Sequence, residues 1–346
     1  MNNDKEEDNT DSEQITDYNT YFESVELQDL DNYSMERIQF DAHIIDIIDN
    51  ENILCTKDND LLEFNVKTQE KFVLVKDAWD PTLSEDKKLI LYQNSEGVYI
   101  YNVKTKENSL LYKLNKEVLR NYILSDDNKH VFIQTLEGKE FINRLVTVGG
   151  KTNNVVLDEN EDFIIIKLVH YSESKVFAIA ETKEESAGGE EVNEKTDLVM
   201  VDFDRSSIRN ITNVSSDNET RFLDNYKNNI LIETMQQIIV DESIRTERIH
   251  YKVNTSNGIP YKVNLKDINT TMIKVLSTES EFIFLDDPEE IDTQYPDLKV
   301  VKLHDRSKDM EIAKIYIDVP YEIYHFNNKM FFTSNGDMYV ITKKND

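Results

Sequence analysis

Cysteine is nearly absent from this chain. The one that occurs, Cys55, excludes both an internal disulfide and a zinc site built from paired cysteines. It stands in Asn52-Ile53-Leu54-Cys55-Thr56, where a thiol reads as a small buried hydrophobe rather than a nucleophile. No apolar run reaches the ~18 residues of a membrane helix, so no transmembrane segment is expected. Met1 opens a polar stretch with no secretory core. Glycine (8) and proline (5) are scarce among 346 residues. Asn and Asp must therefore make most of the turns, because they tolerate left-handed backbone and bond their own main chain. Bases are few as well, 39 against 68 acids, for a formal charge of −29. Such a charge repels nucleic acid and anionic membrane and leaves a basic partner or a cation electrostatically welcome. No phosphate loop, nucleotide fingerprint, His-Glu-x-x-His or Gly-x-Ser-x-Gly occurs, so no catalytic residue and no cofactor is implied.

What is present divides unevenly. Residues 1–33 hold almost nothing to bury and read as a disordered acidic arm, with Tyr21 to Leu30 able to settle on a domain surface. Residues 34–346 read as one all-β domain, because short runs of aromatic and β-branched residues alternate with Asn, Asp, Lys and Ser. An acidic, Asn- and Ser-rich start fits a cytoplasmic protein taken literally. It fits equally the tether of a bacterial surface lipoprotein whose signal and anchoring cysteine lie outside this sequence.

The chain also repeats. Glu63-Phe64-Asn65-Val66-Lys67-Thr68 returns as Ile100-Tyr101-Asn102-Val103-Lys104-Thr105, a spacing of 37. Leu83-Ser84-Glu85-Asp86-Lys87-Lys88 returns as Leu124-Ser125-Asp126-Asp127-Asn128-Lys129. Four strands in every ~40 residues is the arithmetic of a propeller blade. The Leu-Ser-x-Asp-x-Lys segment resembles the repeat of TolB-like (WD40-like) β-propellers. Glu85 or Asp126 stands where that repeat usually has Pro, and Lys87 or Asn128 where it has Gly. The resemblance implies architecture and no activity. Counting units near 42–76, 79–114, 120–158, 163–214, 221–266, 270–318 and 321–343 gives seven blades; six or eight fit where the repeat blurs between 215 and 300. The last unit has three strands, and Met35–Phe40 is a strand without a blade. Joining them closes the ring and removes an open edge.

Candidate sites fall in two places. His43, His170 and His325 lie on predicted inner strands, and His170 and His325 share a repeat position, which makes them the only metal-ligand candidates. Trp79 opens the second inner strand and is expected in the core. The link between second and third strands is elaborated in three adjacent blades, over 182–196, 241–246 and 286–297. These stretches carry Glu184, Glu185, Glu190, Glu191, Asp286, Asp287, Glu289 and Glu290, with Ile244, Ile291 and Tyr295 as apolar contacts. The expectation is a monomeric, non-catalytic module, not an enzyme, that binds a protein partner, a basic one by charge, through this acidic face. The alternatives are a channel-centred metalloenzyme and a cell-wall- or sugar-binding surface lipoprotein.

Overall fold

The middle strands of the blades carry apolar side chains on both faces, so they must be covered from both sides. In a computed structural model of the chain, sheets stacked around a common axis meet that demand. The structure describes residues 25–344 apart from 156–162, 186–191, 213–218, 241–242, 264, 266–271, 279–280, 286–288, 291–298, 306–309, 317–322 and 335. The described residues form seven antiparallel sheets and no helix. The protein is a seven-bladed β-propeller. The first strands of the blades, which stand innermost, are His43–Ile47, Trp79–Leu83, Val118–Leu124, Phe163–Ser172, Glu219–Tyr226, Met272–Thr278 and Tyr324–Phe326.

Successive side chains on a strand face opposite neighbours. In the first blade Ile53 and Cys55 pack on Phe331 and Met338 of the seventh, while Leu54 between them packs on Ile90 and Tyr92 of the second. The same alternation gives each of the seven seams its own apolar cluster. Burying each such side chain contributes about 1.5–3 kcal/mol. Cys55 is fully buried, and burial pushes its thiol up to about 12, which makes it inert.

The ring closes through its two ends. Tyr33–Gln39 is the outer strand of the seventh blade and pairs along Asp337–Lys343, with Met35 opposite Ile341. Tyr33 also donates its hydroxyl to the buried Asp305 Oδ2 of the sixth blade, at 2.9 Å. Within the segment expected as an arm, Val25–Leu27 adds an outermost strand to the sixth blade, with Val25 opposite Ile315 and buried. Residues 1–24 of that segment lie outside the described residues.

The turns follow the residues the repeat substitutes. Lys87 and Asn128, at the position of the usual glycine, have φ of 60° and 58°. Each reaches the preceding blade: Lys87 Nζ lies 2.7 Å from Asp46, and Asn128 hydrogen-bonds Asp86. Ser84 Oγ donates to Asp86 and accepts from Lys88 N and Leu89 N, and Ser125 makes the matching turn with Asp127 and His130 N. Asp58 and Asn59 are likewise left-handed, which places the Asp58-Asn59-Asp60 cluster in a hairpin turn.

Candidate active site

The inner strands are irregular at the residues that carry polar side chains. Register shifts interrupt them at Ile44/Asp46, Trp79/Thr82, Leu119/Asn121, Leu168/His170, Phe222/Asp224 and Val275/Thr278. A bulge re-aims the residue that follows it. Here those residues include Asp46, Asn121, His170 and Asp224.

The three predicted histidines all stand on inner strands, but in different company. His43 begins the first inner strand and is exposed. His170 is 8% exposed, with Nε2 3.3 Å from Asp126 Oδ2, a carboxylate of the third blade's first turn. His325 belongs to a different cluster. Its strand neighbours Tyr324 and Phe326 pack against the first blade, so alternation turns His325 toward the sixth. There it feels the charge of Lys274, which in turn reaches the fifth blade: Lys274 Nζ lies 3.0 Å from Asp224 Oδ1. Asp224 Oδ2 accepts from Val275 N at 2.8 Å. One acid, one lysine and one imidazole therefore stand on three consecutive inner strands.

The electrostatics of this group are distinctive. Burial pushes the His325 imidazole below its ordinary value; the Lys274 and Lys343 ammonium groups push the same way, and a hydrogen bond with the Asn327 backbone opposes them. The ring is therefore unprotonated near neutral pH. Burial raises the Asp224 carboxyl, while Lys274 and the Val275 N–H pull it back. Sequence reading identified His325 but missed Asp224 and Lys274, whose partnership spans 50 residues and leaves no local pattern.

A second buried pair lies between blades five and six. Glu233 is wholly buried, with Oε2 3.2 Å from His250 Nε2 and 3.9 Å from Arg248 Nη1. The two are register partners on the long hairpin, which explains their approach.

Among the described residues no group of three or more His, Cys, Asp or Glu side chains is placed to hold a metal ion. His170 and His325 are thus not joined into a metal centre by the residues described.

The elaborated links leave by one face, where second strands pass into third. Lys175–Glu185 and Val192–Asp202 form a long hairpin, with Glu184 opposite Asn193 and Glu185 opposite Val192. Asn229–Val240 and Ser243–Asn254 form another, with Ile244 opposite Ile239. Glu289 and Glu290 pair with Val300 and Lys299. Glu190, Glu191, Asp286, Asp287, Ile291 and Tyr295 lie outside the described residues. Trp79 corrects its expectation: it is 36% exposed, because a bulge turns it out of the seam instead of into the core.

No family model and no curated protein matches the chain. Solved structures do share its fold. An oligogalacturonate lyase in complex with manganese is 11% identical, with a TM-score of 0.60, over 90% of this chain and 91% of that one. An oligogalacturonate lyase from Vibrio parahaemolyticus is 12% identical, with a TM-score of 0.57, over 92% and 98%. The tricorn protease is 10% identical, with a TM-score of 0.56, over 91% of this chain and 34% of that one. Such likeness concerns the fold, and it supports the β-propeller without reaching the TolB-like family.

These structures correct the expectation of a non-catalytic module that is not an enzyme. The two lyases are matched over 91% and 98% of their own length, so a propeller of this size is no bar to catalysis. The error lay in searching for linear motifs, when a propeller assembles its site from many blades. The described residues do not form a cradle for the manganese that one of these lyases holds.

Proposed function

We propose that this chain is an enzyme of the lyase type that acts by proton transfer in its channel, on a short oligosaccharide bearing a uronic acid. The observation that carries this reading is the Asp224–Lys274–His325 cluster across three inner strands. A carbon beside a carboxylate loses its proton only if the base is unprotonated and the developing negative charge meets a cation. His325 is the base, and Lys274 holds the carboxylate and neutralises the intermediate. Asp224 positions Lys274. The C–H bond breaks to His325, a carbon–carbon double bond forms, and the neighbouring C–O bond breaks. The proton on His325 then passes to the departing oxygen, so the step balances without an oxidant. The likeness to lyases named for oligogalacturonate supports the acidic sugar as substrate class. The charge of −29 repels long polyanions more strongly than short ones.

The test is absorbance of the conjugated double bond when purified protein meets a panel of short uronate oligosaccharides. His325→Gln should lower kcat by about 10²-fold or more at unchanged thermal stability. No turnover by the unaltered protein, or turnover by His325→Gln and Lys274→Met equal to that of the unaltered protein, would discard the reading.

A further inference from the structure

The side chain least at home in the expected core is the chain's single tryptophan. Trp79 begins an innermost strand, so it borders the channel. It stands beside the turn of the first blade's second and third strands, where Ala78 N donates to Asn59 O at 2.7 Å and Asp77 N to Asp60 Oδ1 at 3.2 Å. That turn marks the face from which the long hairpins of blades four and five leave. Trp79 is therefore at the mouth of the channel on that face.

Its exposure is built in. Trp79 pairs with Gln93 and Thr82 with Leu91, so Asp80 and Pro81 form a bulge between them. Asp80 takes the left-handed conformation with φ of 48°, and Pro81 is buried. The next blade pins the bulge: Tyr122 Oη lies 2.6 Å from Asp80 O and 3.2 Å from Trp79 O. Gln93, the register partner of Trp79, donates from Nε2 to Asp80 Oδ2 at 2.6 Å and so fixes that carboxylate. A rigid aromatic with an oriented carboxylate and carboxamide at its side matches one ligand chemistry closely. A pyranose ring offers a face of C–H groups to the indole and hydroxyl donors to the acid. A stacked nucleobase would bring phosphates against Asp80 and the acidic surface.

We infer that Trp79 is a stacking platform for a neutral pyranose ring at the channel mouth, with Asp80 and Gln93 taking its hydroxyls. The inference shares with the proposed function the premise of a sugar ligand and rests on it to that extent. It needs no turnover.

Because Trp79 is the only tryptophan, the protein's indole emission reports this position alone. The probes are neutral oligosaccharides of the gluco, galacto, manno and xylo types, with a uronate oligosaccharide alongside. Saturable change in emission is expected with at least one neutral type, and weaker binding of the uronate, which Asp80 repels. By calorimetry Trp79→Phe should keep most of that affinity and Trp79→Ala should lose tenfold or more, with both variants melting like the parent. Silent emission with every neutral sugar, or Trp79→Ala binding as tightly as the parent, overturns the platform. The two proposals fail separately. Uronate turnover with silent Trp79 removes the platform alone, and a Trp79 response without turnover removes the lyase reading alone.

Discussion

Lys274 carries a positive charge into the wall of a strongly acidic protein, and what it does there depends on two residues from other blades. With Asp224 at 3.0 Å it is held in place; its charge adds to burial in lowering the proton affinity of His325. The sign of the pH dependence follows. His325 is the base and its value lies below the ordinary 6.5, so kcat/KM should rise with pH along a limb centred below 6.5 and level off by neutrality. Lys274→Met removes a repelling charge, so the limb should move to higher pH. A limb that stays in place, measured by pH-rate profiles of both proteins, would show that the two groups do not communicate. Asp224→Ala removes the acceptor of both Lys274 and the buried Val275 N–H. It should destabilise by about 2–4 kcal/mol in chemical denaturation, more than an exposed acid would.

At the scale of the element, the Ser–Asp turns show how one position can break a rule and compensate. Lys87 in a left-handed conformation costs about 1–2 kcal/mol of backbone energy, and its bridge to Asp46 offsets part of it. Lys87→Ala keeps the strain and loses the bridge, whereas Lys87→Gly loses both. Lys87→Ala should therefore be the less stable variant by about 1 kcal/mol. The reverse order in paired melts would mean that the left-handed turn carries no strain. In the same turns burial opposes the charge of Asp86 and Asp127, yet hydrogen bonds, chiefly from Lys88 and Ser125, hold both carboxyls at about 2. That stabilisation is full above the ordinary 3.8 and is lost as pH falls through about 2.

At the scale of the whole molecule, stability depends on whether the ring is shut. Deleting residues 1–30 removes the short strand Val25–Leu27 and the buried Val25, and should lower Tm by a few °C, about 1–2 kcal/mol. Deleting 1–41 also removes Tyr33–Gln39. That leaves the Asp337–Lys343 edge unpaired and uncovers the clusters around Tyr33, Ile38 and Phe40, so the protein should aggregate or melt far lower. Equal melting of the two truncations would mean that closure contributes nothing.

The blades, their number, the closing strand and the turns were legible from residues alone, because each depends on neighbours close in the chain or on a repeating unit. Alternating burial set the seams, and Asn, Asp and Ser set the turns. The placement of His43, His170 and His325 on inner strands followed from the same repeat. What only the tertiary structure decided is which side chains meet across blades. A bulge of one or two residues sent Trp79 outward, when its place in the repeat pointed to the core. Asp224, Lys274 and His325 come together only because three blades stand side by side around one axis, and contacts across seams leave no periodic trace in the order of residues.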